Sequence, residues 1–146
     1  MEPLIVEHAT QSDLEDVWKL HRGVFDDPEA RSSVENAVGA GECWVARSGV
    51  IVVGFATFGA FLHGHGFLRV IGVLPRYRRR GVARAIVEHL ESICPTDRLF
   101  TATTGANITM QRTAEALGFV RSGVLKHVED DDVELVYVRF LGSDDA

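Results

Sequence analysis

Ile71-Gly72-Val73-Leu74-Pro75-Arg76-Tyr77-Arg78-Arg79-Arg80-Gly81-Val82-Ala83 reads as a strand, a turn forced by proline, an arginine cluster, a glycine and the start of a helix. A helix N-terminus exposes unpaired backbone N–H groups and carries roughly half a positive charge. An Arg- and Gly-rich loop entering such a helix forms an anion cradle, because Gly81 and Ala83 let the backbone approach closely. Arginine adds planar donors that match phosphate oxygens. The ligand this describes is a pyrophosphate or a similar multiply charged anion. The same residues also read as a solvated arginine turn before an ordinary helix.

Charge distribution sharpens the first reading. The 146-residue chain has a formal charge of −6, with fifteen Lys and Arg. Six of them lie between Arg69 and Arg84 (Arg69, Arg76, Arg78, Arg79, Arg80 and Arg84), and no acid interrupts that segment. An acidic chain with its cations in one place suggests a local anion site rather than a nucleic-acid surface. Neither G-x-x-x-x-G-K-[ST] nor a G-x-G-x-x-G after the first strand is present, so the two common nucleotide motifs do not compete.

Working outward, Leu4–Glu7 reads as a short strand. Thr10 and Asp13 resemble a capping box. Leu14, Val17, Trp18 and His21 follow at helical spacing, ending at Gly23. Asp27-Pro28 signals a second helix start, with Ala30, Val34, Ala37 and Val38 as its apolar side. Cys43–Ala46 and Val50–Phe61 are strands joined at Arg47-Ser48-Gly49, and Phe67–Leu74 is a third after His63-Gly64-His65-Gly66. A helix follows over 81–94, stopped by Pro95. Leu99–Ala102 is a short strand. Asn107 caps a helix ending at Leu117-Gly118, and Val120–Val124 and Val133–Phe140 close the chain. The order β-α-α-β-β-β-α-β-α-β-β implies a mixed-sheet α/β (α+β) layer fold. Residues 1–141 are read as one domain and 142–146 as a short acidic tail.

Hydrophobic residues make up 46% and charged residues 25%, the balance of a soluble globular protein. No apolar run reaches membrane-spanning length, and Met1–Thr10 lacks the features of a secretory signal. A cytoplasmic location without a membrane partner is expected. Cys43 and Cys94 sit in apolar runs and read as buried free thiols.

With these residues in hand, the chain resembles the GNAT superfamily of N-acetyltransferases. Arg78-Arg79-Arg80-Gly81-Val82-Ala83 fits the family's [QR]-x-x-G-x-[GA] pyrophosphate motif, placed after Val73-Leu74-Pro75 and opening a long helix. Asn107 and the terminal Leu117-Gly118-Phe119 match a second family segment, and the element order agrees from first strand to last. The resemblance implies acetyl-CoA as co-substrate, without metal, and a primary amine as acceptor. Phe67–Leu74 and Leu99–Ala102 become two splayed parallel strands. Ile71, Gly72 and Val73 become the backbone that pairs with the pantetheine arm, and an N–H near Val73 holds the oxyanion. Backbone amides from Arg79 to Arg84 hold the pyrophosphate, with arginine side chains, Arg78 among them, near the outer phosphates. Asn107 contacts the cofactor from the other side. The resemblance also leaves room for a homodimer.

The chain departs from the family at Ala114, where many members carry a tyrosine that protonates the leaving thiolate. Tyr77 and Tyr137 do not align with that position. This leaves a second reading open, a non-catalytic acyl-CoA-binding module. His63 and His65 read as a polar turn, with His65 alternatively a base and the pair alternatively a metal site. Asp26, Asp27 and Glu29, and the run Glu129–Asp132, fall in regions that border the family's acceptor site. Each also reads as a helix cap or solvated turn. Trp18 and Trp44 read as core.

Overall fold

Capping and periodicity set the first elements. In the computed structural model, which describes residues 2–24 and 30–142, strand β1 covers Leu4–His8 and helix α1 Leu14–Val24. The Thr10 N–H donates to Asp13 Oδ2 over 2.8 Å, closing one 3₁₀ turn ahead of α1. Arg47 Nη2 also donates to that oxygen over 2.8 Å. Burial works against ionisation of Asp13, but the bonds from Arg47 and Thr10 prevail and leave its carboxyl below the ordinary range. Along α1, Val17, Trp18 and His21 are buried, as the helical spacing predicts. Helix α2 covers Ala30–Gly39 and buries Val34, Ala37 and Val38. The expected start at Asp27-Pro28, with Asp26 and Glu29, lies outside the described residues, as do positions 143–146.

Strand β2 covers Cys43–Ser48, β3 Ile51–Ala60 and β4 Gly66–Val73. Gly49, at φ +62°, turns the chain between β2 and β3, and these two strands pair antiparallel. Helix α3 covers Val82–Ile93, β5 Arg98–Thr104, α4 Ile108–Ala116, β6 Val120–Leu125 and β7 Glu134–Phe140. Every expected element is present in the expected order, with its described ends moved by at most two residues. Hydrogen bonding orders the strands β1-β2-β3-β4-β5-β7-β6.

The chain divides into two compact units, residues 1–58 with 70–92, and residues 59–69 with 93–146. In the first, one core gathers Val17, Trp18, Val34, Val38, Val45 and Phe55 between α1, α2 and the strands. Against β3, helix α3 approaches closely at Gly54. A Cβ there would lie 2.7 Å from Val82 Cγ1 and 3.2 Å from Ile86 Cδ1. Trp44 is buried and packs on His89 of α3, centroids 4.7 Å apart. The second unit pairs β7 with β5 on one edge and β6 on the other. Four consecutive residues of β7, Leu135–Val138, are buried, which suits its near-continuous apolar sequence. β6, with no partner on its far side, is largely exposed.

The thiols differ from the expectation. Cys43 is buried, and desolvation pushes its pKa up to about 12, which makes it unreactive. Cys94 is only half-buried, and its Sγ–H donates to the Arg98 carbonyl over 3.3 Å. Pro95 ends α3 one residue further on, at the rim of the packed region, so Cys94 does not reach the core.

Candidate cofactor and acceptor site

The stretch that decided the reading folds as β4, a 3₁₀ turn at Pro75–Tyr77, and α3. Proline at the first position starts the turn, and Leu74 N–H returns to the Val53 carbonyl over 2.8 Å, pinning the end of β4 to β3. Arg78 is extended, Arg79 takes φ +62° and Gly81 takes φ +83°. Two left-handed residues two positions apart shape the loop that enters α3. At Gly81 an added Cβ would meet nothing within 4 Å. The glycine therefore serves backbone conformation and leaves open space above the helix start.

The first turn of α3 contains no acid. Among the described residues, no side chain caps Gly81, Val82 or Ala83. Arg76, Arg78, Arg79 and Arg80 precede this turn in the chain. Tyr77 lies beneath two of them, with the Arg76 and Arg80 guanidinium carbons 5.7 and 5.5 Å from its ring centroid. That stacking orders part of the cluster without neutralising it. An uncapped helix mouth, a left-handed glycine beside open space and unpaired guanidinium groups fit a multiply charged anion.

Ile71 and Gly72 are buried and Val73 is half-buried, so this strand end meets the solvent only at its last residue. β4 and β5 pair in parallel over three residues each, Gly66–Leu68 with Leu99–Thr101. At the last pair, Thr101 Oγ1 donates to the Leu68 carbonyl over 2.8 Å.

Other expected site residues fall elsewhere. His65 immediately precedes β4, and Val73 closes it. His65 Nδ1 is 2.7 Å from Thr96 Oγ1, and its ring packs on Phe100. His63 is exposed at φ +59°. Among the described residues, no group of three His, Cys, Asp or Glu could hold a metal ion. Asn107 Oδ1 accepts from Met110 N over 3.1 Å, so Asn107 caps α4. Ala114 is buried in that helix, and the equally buried Tyr137 has its hydroxyl 3.3 Å from Arg121 Nη2. In the Glu129–Asp132 run, Asp132 Oδ2 accepts from Ala106 N over 3.0 Å and Oδ1 from Val133 N over 2.7 Å. Glu134 sits just beyond. Burial, then the nearby Glu129 and Asp132, raises its pKa above the ordinary carboxyl value.

The first unit also holds a cavity of about 560 Å³ between α1, the β2–β3 turn and the end of β4. Sequence reasoning missed this cavity, and it missed Gly54. The only sequence signals were a glycine inside a β-branched strand and two apolar residues after a turn.

The GNAT family's sequence profile, described as acetyltransferase (GNAT) family, matches residues 11–119. The chain belongs to the GNAT acetyltransferase family. Its most informative structural likeness is to a GNAT-family acetyltransferase from Bacillus cereus, at 26% identity and TM-score 0.83, covering 96% of this chain and 99% of that one. The ribosomal-protein-S18-alanine N-acetyltransferase of Escherichia coli shares the fold at 17% identity and TM-score 0.75, covering 97% and 98%. YncA of Salmonella typhimurium, solved with its cofactor acetyl-CoA, does so at 16% identity and TM-score 0.70, covering 98% and 96%. No curated protein matches the chain. For this GNAT member, acetyl-CoA-dependent N-acetylation is the general reaction of the family. No helix among the described residues is long and apolar enough to cross a membrane.

Proposed function

We propose that this protein transfers an acetyl group from acetyl-CoA to a primary amine. The observation that carries the reading is the uncapped N-terminus of α3, with left-handed Arg79 and Gly81 in its approach loop and an arginine cluster around it. Backbone amides from Arg79 to Arg84 hold the pyrophosphate, and Arg78, Arg79 and Arg80 add charge at the outer phosphates. The backbone of Ile71, Gly72 and Val73 offers strand-like pairing to the pantetheine arm.

Acetyl-CoA supplies the thioester acyl group. An N–H near Val73 stabilises negative charge that develops on the acyl oxygen as the amine nitrogen attacks the acyl carbon. The C–N bond forms and the C–S bond breaks. Much of the acceleration comes from holding the two reactants together. Alkyl amines have a pKa of about 10.4, so the ammonium must lose a proton to water or a nearby base before attack. With Ala114 at the family's tyrosine position, water protonates the leaving thiolate. Mixing the protein with acetyl-CoA and a panel of amines, and following free thiol, tests the reading. Amine-dependent release is expected.

The buried Ala114 favours a second reading, an acyl-CoA-binding module without turnover. Tight binding of coenzyme A by calorimetry with no thiol release for any amine selects it. Absence of binding removes both.

A further inference from the structure

The cavity of the first unit meets the arginine turn only at Arg78, and its other walls come from α1, the β2–β3 turn and the end of β4. Its floor is apolar, with Leu20 of α1 and Val52 of β3 only 8% and 7% exposed, and Leu74 beside them. At its mouth, Val50 is 95% exposed and Ile51 40% exposed. Large apolar side chains kept in water beside a cavity mark a binding surface more often than a chance exposure. About 560 Å³ lies within the range of small-molecule sites, which are apolar with a few polar groups that fix orientation.

Those polar groups are Asp16 and Lys19 on α1 and Arg78 after β4. None makes an ion pair or side-chain hydrogen bond among the described residues. The rim therefore presents both signs of charge, with one cation in excess. Val73 also lines the cavity. It is the residue whose N–H the proposed mechanism uses at the acyl oxygen.

We propose that this cavity seats the acceptor, and that the acceptor is a small zwitterion: an amine with a branched or aromatic apolar body and a carboxylate. The inference rests on the acetyltransferase reading and adds the acceptor class to it. The apolar body covers Leu20 and Val52 and extends over Val50. The carboxylate meets Lys19, which acts as a charge-assisted donor. Asp16 attracts the ammonium form on entry. The amine nitrogen then lies on the Val73 side of the cavity, where attack takes place.

Binding measured without acetyl-CoA tests the cavity separately from turnover. Ligand-detected NMR or calorimetry would compare leucine and phenylalanine with isopentylamine and phenethylamine, which lack the carboxylate. The amino acids are expected to bind about tenfold more tightly, the effect of one charge-assisted hydrogen bond. Lys19→Gln should remove most of that preference. Val50→Asp, at a position that is 95% exposed, should weaken both series, with circular dichroism confirming the fold. Equal binding of carboxylated and carboxylate-free amines, unchanged affinity in both variants, or no binding of any of the four would overturn the assignment. Coenzyme A calorimetry run in parallel keeps the two claims apart. Loss of coenzyme A binding counts against the acetyltransferase reading. A failed amino-acid preference with intact coenzyme A binding counts only against the cavity.

Discussion

Helices α3 and α4 begin in opposite ways. At α4, Asn107 Oδ1 accepts from the Met110 amide within the helix, and Asp132 accepts from the Ala106 amide just before it, so side chains cap this helix start. At α3, no side chain caps Gly81, Val82 or Ala83, and the approach loop carries arginines where α4 has an asparagine. The four free N–H groups at a helix start need partners. A chain that caps one helix start and leaves the other uncapped beside a run of arginines fits the proposal that the second end receives an anionic ligand. The local sequence decides this difference: Asn107 is among the best capping residues, whereas Arg80-Gly81 supplies no acceptor oxygen.

The largest test of this contrast is Gly81→Glu. The side chain would enter the open space above α3, place a carboxylate beside phosphate and force a left-handed backbone on a residue that resists it. Coenzyme A affinity is expected to fall by about 100-fold or more, roughly 3 kcal/mol. Circular dichroism confirms that the variant is folded, and an unchanged affinity by calorimetry would break the comparison at its strongest point.

Next comes the seat of α3. Gly54→Val inserts a side chain where Val82 and Ile86 already press on β3, and overpacking of this kind costs about 1–3 kcal/mol. Chemical denaturation should show that loss. Coenzyme A affinity should fall with it, because the displaced element is the helix whose mouth is proposed to hold phosphate. A destabilised variant with full affinity would show that the cradle does not depend on this contact.

Neutralising one cation is a smaller change. Arg79→Gln should weaken coenzyme A binding about three- to tenfold and flatten its salt dependence, since exposed charges act through a screened field. Equal salt slopes for variant and parent would assign the phosphates to other groups.

The smallest expected effect sharpens the contrast from the other side. Asn107→Ala should cost about 1 kcal/mol of stability through the lost cap. Coenzyme A affinity should stay within twofold. A clear loss of affinity would place Asn107 among the ligand contacts, as the family resemblance implies, and make α4 part of the site.

Some of this was open to reading in one dimension. Helix faces appear as apolar residues three and four apart, and Val17, Trp18, Val34, Ile86 and Leu90 are all buried as that spacing requires. Gly81 and Gly118 stand where the backbone turns left-handed, at φ +83° and +91°. The cradle is built from consecutive residues, so its composition and its place before a helix were both written in the chain.

Contacts between residues far apart in sequence were not. Gly54 looks like a weak point in a strand until α3 is laid over it, because the atoms it makes room for, Val82 Cγ1 and Ile86 Cδ1, arrive nearly thirty residues later. The cavity draws its walls from α1, the β2–β3 turn and the end of β4. Periodicity and capping act over one to four residues, so the sequence alone determined the element order, the buried helix faces and the arginine-glycine turn before α3. Close approach, strand pairing and enclosed volume exist only once distant segments pack, and the tertiary structure alone decided them.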